Sequence, residues 1–225
     1  MRILKFISLL VFALIAMPIS AQETAKNTAA TIPIDENMLA LDISTGGRVV
    51  IKLFPELAPK HVERIKILAR RGFYDGIIFH RVIEGFMAQT GDPTGTGSSG
   101  SDLPDLKAEF NGFPHMRGTV SMARTSEEDT ANSQFFIVFQ PRFSLDREYT
   151  NFGRVMSGMQ YVDTILRGEP PANPSYIVQA SIVADKKPLP NFAALTSIPQ
   201  KSPPADAPPA SAAPTSSAST TDAAK

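Results

Sequence analysis

The side chains in this chain best suited to chemistry are an arginine and two glutamines set among alternating apolar residues. They lie in Phe79-His80-Arg81-Val82-Ile83-Glu84-Gly85-Phe86-Met87-Ala88-Gln89-Thr90-Gly91-Asp92 and in Ser133-Gln134-Phe135-Phe136-Ile137. A guanidinium in such company costs free energy unless its charge is paired or meets a ligand. Strand alternation turns every second side chain to one face. Arg81 then shares a face with Ile83, Met87 with Gln89, and Gln134 with Phe136. Hydrogen-bonding groups beside a thioether and aromatic rings suit an apolar, uncharged ligand bearing a carbonyl or amide, such as a peptide segment. They suit neither a phosphate nor a metal. The plain alternative is a structural Arg81 paired with Glu109 or Asp92 beneath a loop; the company of Phe86, Met87, Gln89, Gln134 and Phe136 favours a ligand.

Other motifs read as structure. Gly95-Thr96-Gly97-Ser98-Ser99-Gly100 has the letters of a dinucleotide loop. That motif needs a strand before it and a helix opening at its end, and Asp92-Pro93-Thr94 and Ser101-Asp102-Leu103-Pro104 offer neither. His61, His80 and His115 lack metal-ligand spacing, and His80 and His115 have no carboxylate at a helpful offset. One is expected to be a buried, hydrogen-bonded residue and the others incidental, with no metal site. The run Glu127-Glu128-Asp129 lacks the alternation and glycine turn of a calcium loop and reads as a solvated loop. Ser126 and Ser133 lack the glycine-flanked setting of a hydrolase nucleophile.

The elements that must position Arg81 are mostly strands. Met38–Ile43 and Arg48–Leu53 flank the hairpin signal Ser44-Thr45-Gly46-Gly47. A helix is expected from Pro59 to Arg71, burying Val62, Ile65, Leu68 and Ala69 and capped by Gly72. Further strands are expected at Phe79–Ile83, Phe86–Thr90, Thr119–Ala123, Gln134–Phe139, Asn151–Val155 and Tyr176–Val183, with a second helix from Met159 to Leu166 closed by Gly168. Many short strands with two helices argue for a closed or nearly closed antiparallel barrel.

The 225 residues carry 22 basic and 22 acidic side chains and no cysteine. The even charge offers no nucleic-acid surface, and disulfides, thiolate nucleophiles and cysteine-held zinc are excluded. At the N-terminus Arg2 and Lys5 precede an apolar stretch from Phe6 to Met17, and Pro18-Ile19-Ser20-Ala21 follows. This is the pattern of an export signal over residues 1–21, and its apolar run is shorter than the ~20 residues of a membrane span. Residues 22–37 read as a linker and 38–186 as the folded domain. Residues 187–225, rich in Pro, Ala, Ser and Thr, read as a disordered tail.

At the arginine and glutamine segments, and at Gly118–Ala123, the chain closely resembles the cyclophilin family of peptidyl-prolyl cis-trans isomerases. The likeness covers about Leu39 to Val183. It implies a mostly β fold, a closed eight-stranded antiparallel barrel capped by two α-helices, acting without cofactor on proline-containing peptide segments as a monomer. By resemblance Arg81 is the catalytic arginine, with Gln89 beside it to orient it. Phe86, Met87 and Phe136 form the pocket for the proline ring, Leu145 is part of its wall, and Ala123 lines the groove for residues preceding the proline. Gln134 is a polar group that can hold the substrate backbone. Where many members carry histidine this chain has Tyr149, and Arg124 replaces a common asparagine. The family's frequent tryptophan before Leu-Asp aligns with Ser144, or with Phe143 after a one-residue shift, and by resemblance Phe143 and Tyr149 are expected at the pocket as substrate-binding residues. In the family that tryptophan helps to hold cyclosporin, so weak cyclosporin binding is expected.

The expectation is an exported, periplasmic prolyl isomerase that assists the folding of exported proteins. A non-catalytic proline-peptide binder on the same fold is the rival, and a nucleotide-dependent oxidoreductase would rest on the glycine loop alone.

Overall fold

The first hairpin sets the sheet. Strands β1 (Met38–Ile43) and β2 (Gly47–Leu53) pair antiparallel with Ile43 opposite Gly47. The loop between them holds three residues, and its last, Gly46, has φ +104°, which a residue with a Cβ rarely adopts. The computed structural model describes residues 34–195. Within them follow α1 (Pro59–Arg70), β3 (Arg81–Ile83), β4 (Met87–Thr90), β5 (Thr119–Met122), β6 (Phe135–Val138), β7 (Asn151–Ser157), α2 (Met159–Asp163), β8 (Ile177–Ile182) and a single turn, α3 (Phe192–Leu195).

The eight strands form one antiparallel curled sheet in the order β3-β4-β6-β5-β7-β2-β1-β8. The expected closed barrel is thus modified. Among the described residues no ladder joins the edge strands β3 and β8. The segments leading into them meet instead at a single bridge, Ile78 opposite Tyr176, with Phe79 N donating to Ser175 O and Ile177 N to Ile77 O. A second bridge joins Val82 to Gly168 through two backbone bonds of 2.8 and 2.9 Å. The concave side holds the main core, including Leu39, Leu41, Ile51, Leu53, Val120, Phe135, Ile137 and Phe152.

Helix α1 closes one side of this core and packs against β8. Proline at its first position needs no N–H partner there, and the expected stripe of Val62, Ile65, Leu68 and Ala69 is buried together with His61 and Arg64. It ends where expected. Gly72 takes φ +69°, while Phe73 N bonds Leu68 O and Gly72 N bonds Ala69 O, satisfying the last carbonyls. Its N-terminus is capped from far away, since the residue before it makes no side-chain cap. The Glu109 carboxylate accepts the backbone N–H groups of Lys60 and His61 at 3.1 to 3.2 Å and meets His61 Nδ1 at 2.7 Å. The second helix, α2, is shorter than expected and lies against β2.

Two boundaries shift. The end of the expected linker, Ile34–Asn37, is a 3-10 turn whose Glu36 pairs with Arg70 at 3.0 Å. The start of the expected tail is held to the domain: the carbonyls of Lys187 and Pro188 accept bonds from Arg48 and Gln179. The signal segment and residues 196–225 lie outside the described residues.

Glu109 supplies both an N-cap and the partner of a buried histidine. Glu109→Ala is therefore expected to destabilise the domain by about 1–2 kcal/mol, the usual cost of a lost cap, read from the urea midpoint with the slope of the transition unchanged.

Candidate active site

One cross-strand row assembles the site. Arg81 on β3 lies opposite Gln89 on β4, Gln89 opposite Phe136 on β6, and Phe136 opposite Ser121 on β5. Directly opposed residues share a face, so these four side chains stand side by side on the convex face. The next row, Val82, Ala88, Ile137 and Val120, points into the core. Strands β4, β5 and β6 are buried on both faces. The convex side is covered by a second, smaller cluster of Met87, Phe136, Val138, Leu145 and Tyr149, with Ile83, Phe86 and Ala123 at its edge.

In this cover lies a shallow pocket lined by Arg81, Phe86, Met87, Gln89, Ala123, Arg124, Phe136, Leu145 and Tyr149. Tyr149 meets Phe136 edge to face, centroids 5.6 Å apart, a favourable aromatic geometry. Arg142 lies over the Phe86 ring at 5.2 Å, and Arg124 over Tyr149 at 4.9 Å. Beside the pocket runs a polar groove of about 400 Å³, bordered by Gly97 to Gly100, Asp105, Thr125, Thr130, Asn132 and Gln134, with Gln89, Ala123 and Arg124 shared between groove and pocket.

Arg81 is 5% exposed, and its Nε donates to Glu169 Oε2 at 2.7 Å. Neither Glu109 nor Asp92 is its partner: the first caps α1, and the second organises a loop. Glu169 follows Gly168, the residue bridged to Val82, and this places its carboxylate beside Arg81. A terminal guanidinium nitrogen of Arg81, Nη1, is buried without a hydrogen-bond partner. Leaving such a donor unmet costs about 1–3 kcal/mol.

The glutamines are used differently from the expectation. Gln89 Nε2 donates to Gln134 Oε1 at 2.8 Å, and Gln134 Nε2 donates to the carbonyls of Gly97 and Ser99 at 3.0 and 2.8 Å. No hydrogen bond from Gln89 orients Arg81; Glu169 does that. Gln134 borders the groove and holds the glycine loop. That loop winds around Asp92, whose buried carboxylate accepts the N–H groups of Thr94, Gly97 and Ser99. Burial drives the Asp92 carboxyl upward, and these hydrogen bonds with the Thr94 hydroxyl outweigh it, holding it below the ordinary range. Amides directed at an internal carboxylate are not available to a phosphate.

Phe143 must be struck from the pocket. It opens a 3-10 turn (Phe143–Leu145) and is 62% exposed, whereas Leu145 at the turn's end faces inward at 6%. Ser144 is exposed as well.

All three histidines are buried rather than one. His61 pairs with Glu109 and His115 with Asp146, carboxylates distant in sequence. No protein group completes a well-formed hydrogen bond to either ring nitrogen of His80, although the Gln134 amide is nearby. Burial is the main cause that lowers its pKa, to about 4; Arg81 lowers it too, and Asp92 opposes.

Residues 40–183 match the family model described as cyclophilin type peptidyl-prolyl cis-trans isomerase. The chain belongs to this family. It is 45% identical over 191 residues to a probable peptidyl-prolyl cis-trans isomerase of Brucella suis, covering 78% of this chain and 94% of that one. Against peptidyl-prolyl cis-trans isomerase B of Bacillus subtilis it is 42% identical over 129 residues, 56% of this chain and 89% of the other. A solved cyclophilin of Hirschia baltica superposes with a TM-score of 0.63 at 32% identity, over 68% of this chain and 76% of its own. A Cryptosporidium parvum cyclophilin type isomerase, crystallised in the presence of the dipeptide Ala-Pro, gives 0.61 at 29%, over 64% and 98%. This cyclophilin is a peptidyl-prolyl cis-trans isomerase.

Burial of His80 is expected to make the cyclophilin acid-sensitive. Above the ordinary imidazole value of about 6.5 both folded and unfolded chains carry it neutral. As pH falls from there toward 4, the unfolded chain takes a proton that the folded one refuses. Stability is thus lost across that window, by up to about 3 kcal/mol from this residue. Urea titrations at pH 7 and pH 5 are expected to show the loss, and His80→Gln to reduce the difference between the two.

Proposed function

We propose that Arg81 catalyses isomerisation by donating a hydrogen bond from its guanidinium to the proline nitrogen while the amide is twisted. Resonance in a planar Xaa–Pro amide spreads the nitrogen lone pair into the carbonyl and raises a barrier of about 18–20 kcal/mol. Twisting returns the lone pair to nitrogen. A donor aimed there binds the transition state and finds little to bind in the planar ground state. The observation that carries the proposal is the pairing of a buried, partnerless Nη1 on Arg81 with a Nε fixed by Glu169. The donor is held in place before substrate arrives.

In this reading Phe86, Met87, Phe136, Leu145 and Tyr149 hold the proline ring while the carbonyl side turns. Ala123 and the polar groove receive the residues that precede it. Neither nucleophile nor metal nor cofactor enters the reaction. Arg81→Ala is expected to lower kcat/KM on an Xaa-Pro peptide by about two orders of magnitude, as for loss of a transition-state donor, and Glu169→Gln to produce a smaller loss. A protease-coupled assay reads both; full activity in Arg81→Ala overturns the arginine mechanism.

We further infer that the enzyme is exported and accelerates proline-limited folding steps, which uncatalysed take tens to hundreds of seconds, in exported clients. The support is the N-terminal pattern of Arg2 and Lys5, an apolar run and Ala21. Expression of the full chain in a Gram-negative host is expected to yield a shortened protein in the periplasmic fraction; full-length protein in the cytosol would count against export.

A further inference from the structure

Behind the pocket lies a chain of polar side chains that the isomerase reading leaves unused. Ser121 Oγ is 2.8 Å from His115 Nε2, and His115 Nδ1 is 2.8 Å from Asp146 Oδ1. Serine, histidine and carboxylate in that order at hydrogen-bond spacing can activate a nucleophile. Here they cannot, because Ser121 is 0% exposed and no substrate atom reaches its hydroxyl. The arrangement must act on the protein itself.

What it touches is the pocket. The His115 ring is stacked on Phe136, centroids 6.4 Å apart and planes 19° from parallel. Asp146 Oδ1 accepts the backbone N–H of His115 as well, at 2.8 Å, and Arg142 N donates to His115 O at 2.8 Å. Asp146 directly follows the wall residue Leu145, and Tyr149 N bonds back to Leu145 O. Between Asp146 and Tyr149, Arg147 takes φ +63°, a left-handed conformation that is strained for a side chain with a Cβ. Such a residue persists only where its surroundings over-determine it. The double hold of His115 on Asp146 supplies that determination.

We propose that His115 is a positioning residue: braced by Ser121 and Asp146, it fixes Phe136 from behind and anchors segment 142–149. It thereby sets the spacing between the pocket's aromatic floor and its Leu145–Tyr149 wall. The proposal rests on reading this pocket as the proline site. It makes a distinction that stability alone would not. Loosening the brace weakens proline binding in ground and transition state alike, while Arg81 and Glu169, on the opposite side of the row, keep their geometry. The loss therefore falls on KM rather than kcat.

The test uses the tetrapeptide Ala-Ala-Pro-Phe, with Kd from NMR titration and turnover from exchange spectroscopy on the full chain. Asp146→Ala is expected to raise Kd about tenfold with kcat changed less than about twofold, and to shift the Phe136 ring signals. Asp146→Asn keeps an acceptor for His115 and is expected to lie between. Adding Arg147→Gly to Asp146→Ala relieves the left-handed strain and is expected to recover part of the affinity. A folded Asp146→Ala with wild-type Kd and unmoved Phe136 signals, even with a lowered melting point, overturns the proposal. Should Asp146→Ala fail to fold, Asp146→Asn decides: binding weakened about threefold supports the proposal, by the same KM logic, and wild-type binding overturns it. A wild-type protein that binds no proline peptide would overturn the proline-pocket reading and this proposal with it.

Discussion

Strands buried on both faces must satisfy two different neighbours with a two-residue period, and the architecture around β3, β4, β6 and β5 follows from that constraint. Their inward row of Val82, Ala88, Ile137 and Val120 is uniformly apolar and joins the main core. Their outward row is mixed, and a mixed row cannot simply be left to water, because Phe136 and Met87 share it with Arg81 and Gln89. The chain answers by folding segment 142–149 over the apolar part and leaving the polar end open. The pocket is the line where that cover stops. A one-residue slip of β4 against either neighbour would send Gln89 into the core and Ala88 outward, which ties the register of three strands to the existence of the site.

Charge is handled by one repeated device. Glu109, Asp92 and Asp146 each accept backbone N–H groups from a segment remote or newly turned, and two of them also engage a buried histidine. A carboxylate in this role ends a helix, winds a loop or pins a turn without being buried unpaired, which would be costly. Arg81 is the exception. Its carboxylate partner engages one edge of the guanidinium, and among the described residues a terminal nitrogen is left unmet, as are the ring of His80 beside it and Nε of Arg142 over the Phe86 ring.

Much of this was legible in the residues, and the misses share a physical cause. Alternation pairs Arg81 with Ile83, Met87 with Gln89 and Gln134 with Phe136, and Gly72 marks the end of α1, because these signals are local; only the register of the strands brings Arg81, Gln89 and Phe136 into one row. Glu169 was not found. It touches Arg81 only through the bridge between Val82 and Gly168, and nothing in its neighbours marks it as the partner of a residue so far away in the chain. The histidine partners Glu109 and Asp146 are hidden for the same reason: each lies far from its histidine in sequence and beside it only in space. Phe143 was admitted to the pocket because a 3-10 turn offers no period from which to tell its outward residue from the inward Leu145. The glycine loop reads as structural in the sequence, and that its amides converge on Asp92 is visible only in the structure.

The seam of the curled sheet has a kinetic meaning. Backbone opening is easiest where hydrogen bonds are few, and the segments leading into β3 and β8 meet at a single bridge in place of a ladder. A second isolated bridge ties Val82 of β3 to Gly168, and Glu169 follows directly. The arginine of the site is thus moored to a segment that a single isolated bridge ties to β3, and the time that joint stays closed is also the time over which Glu169 holds the guanidinium.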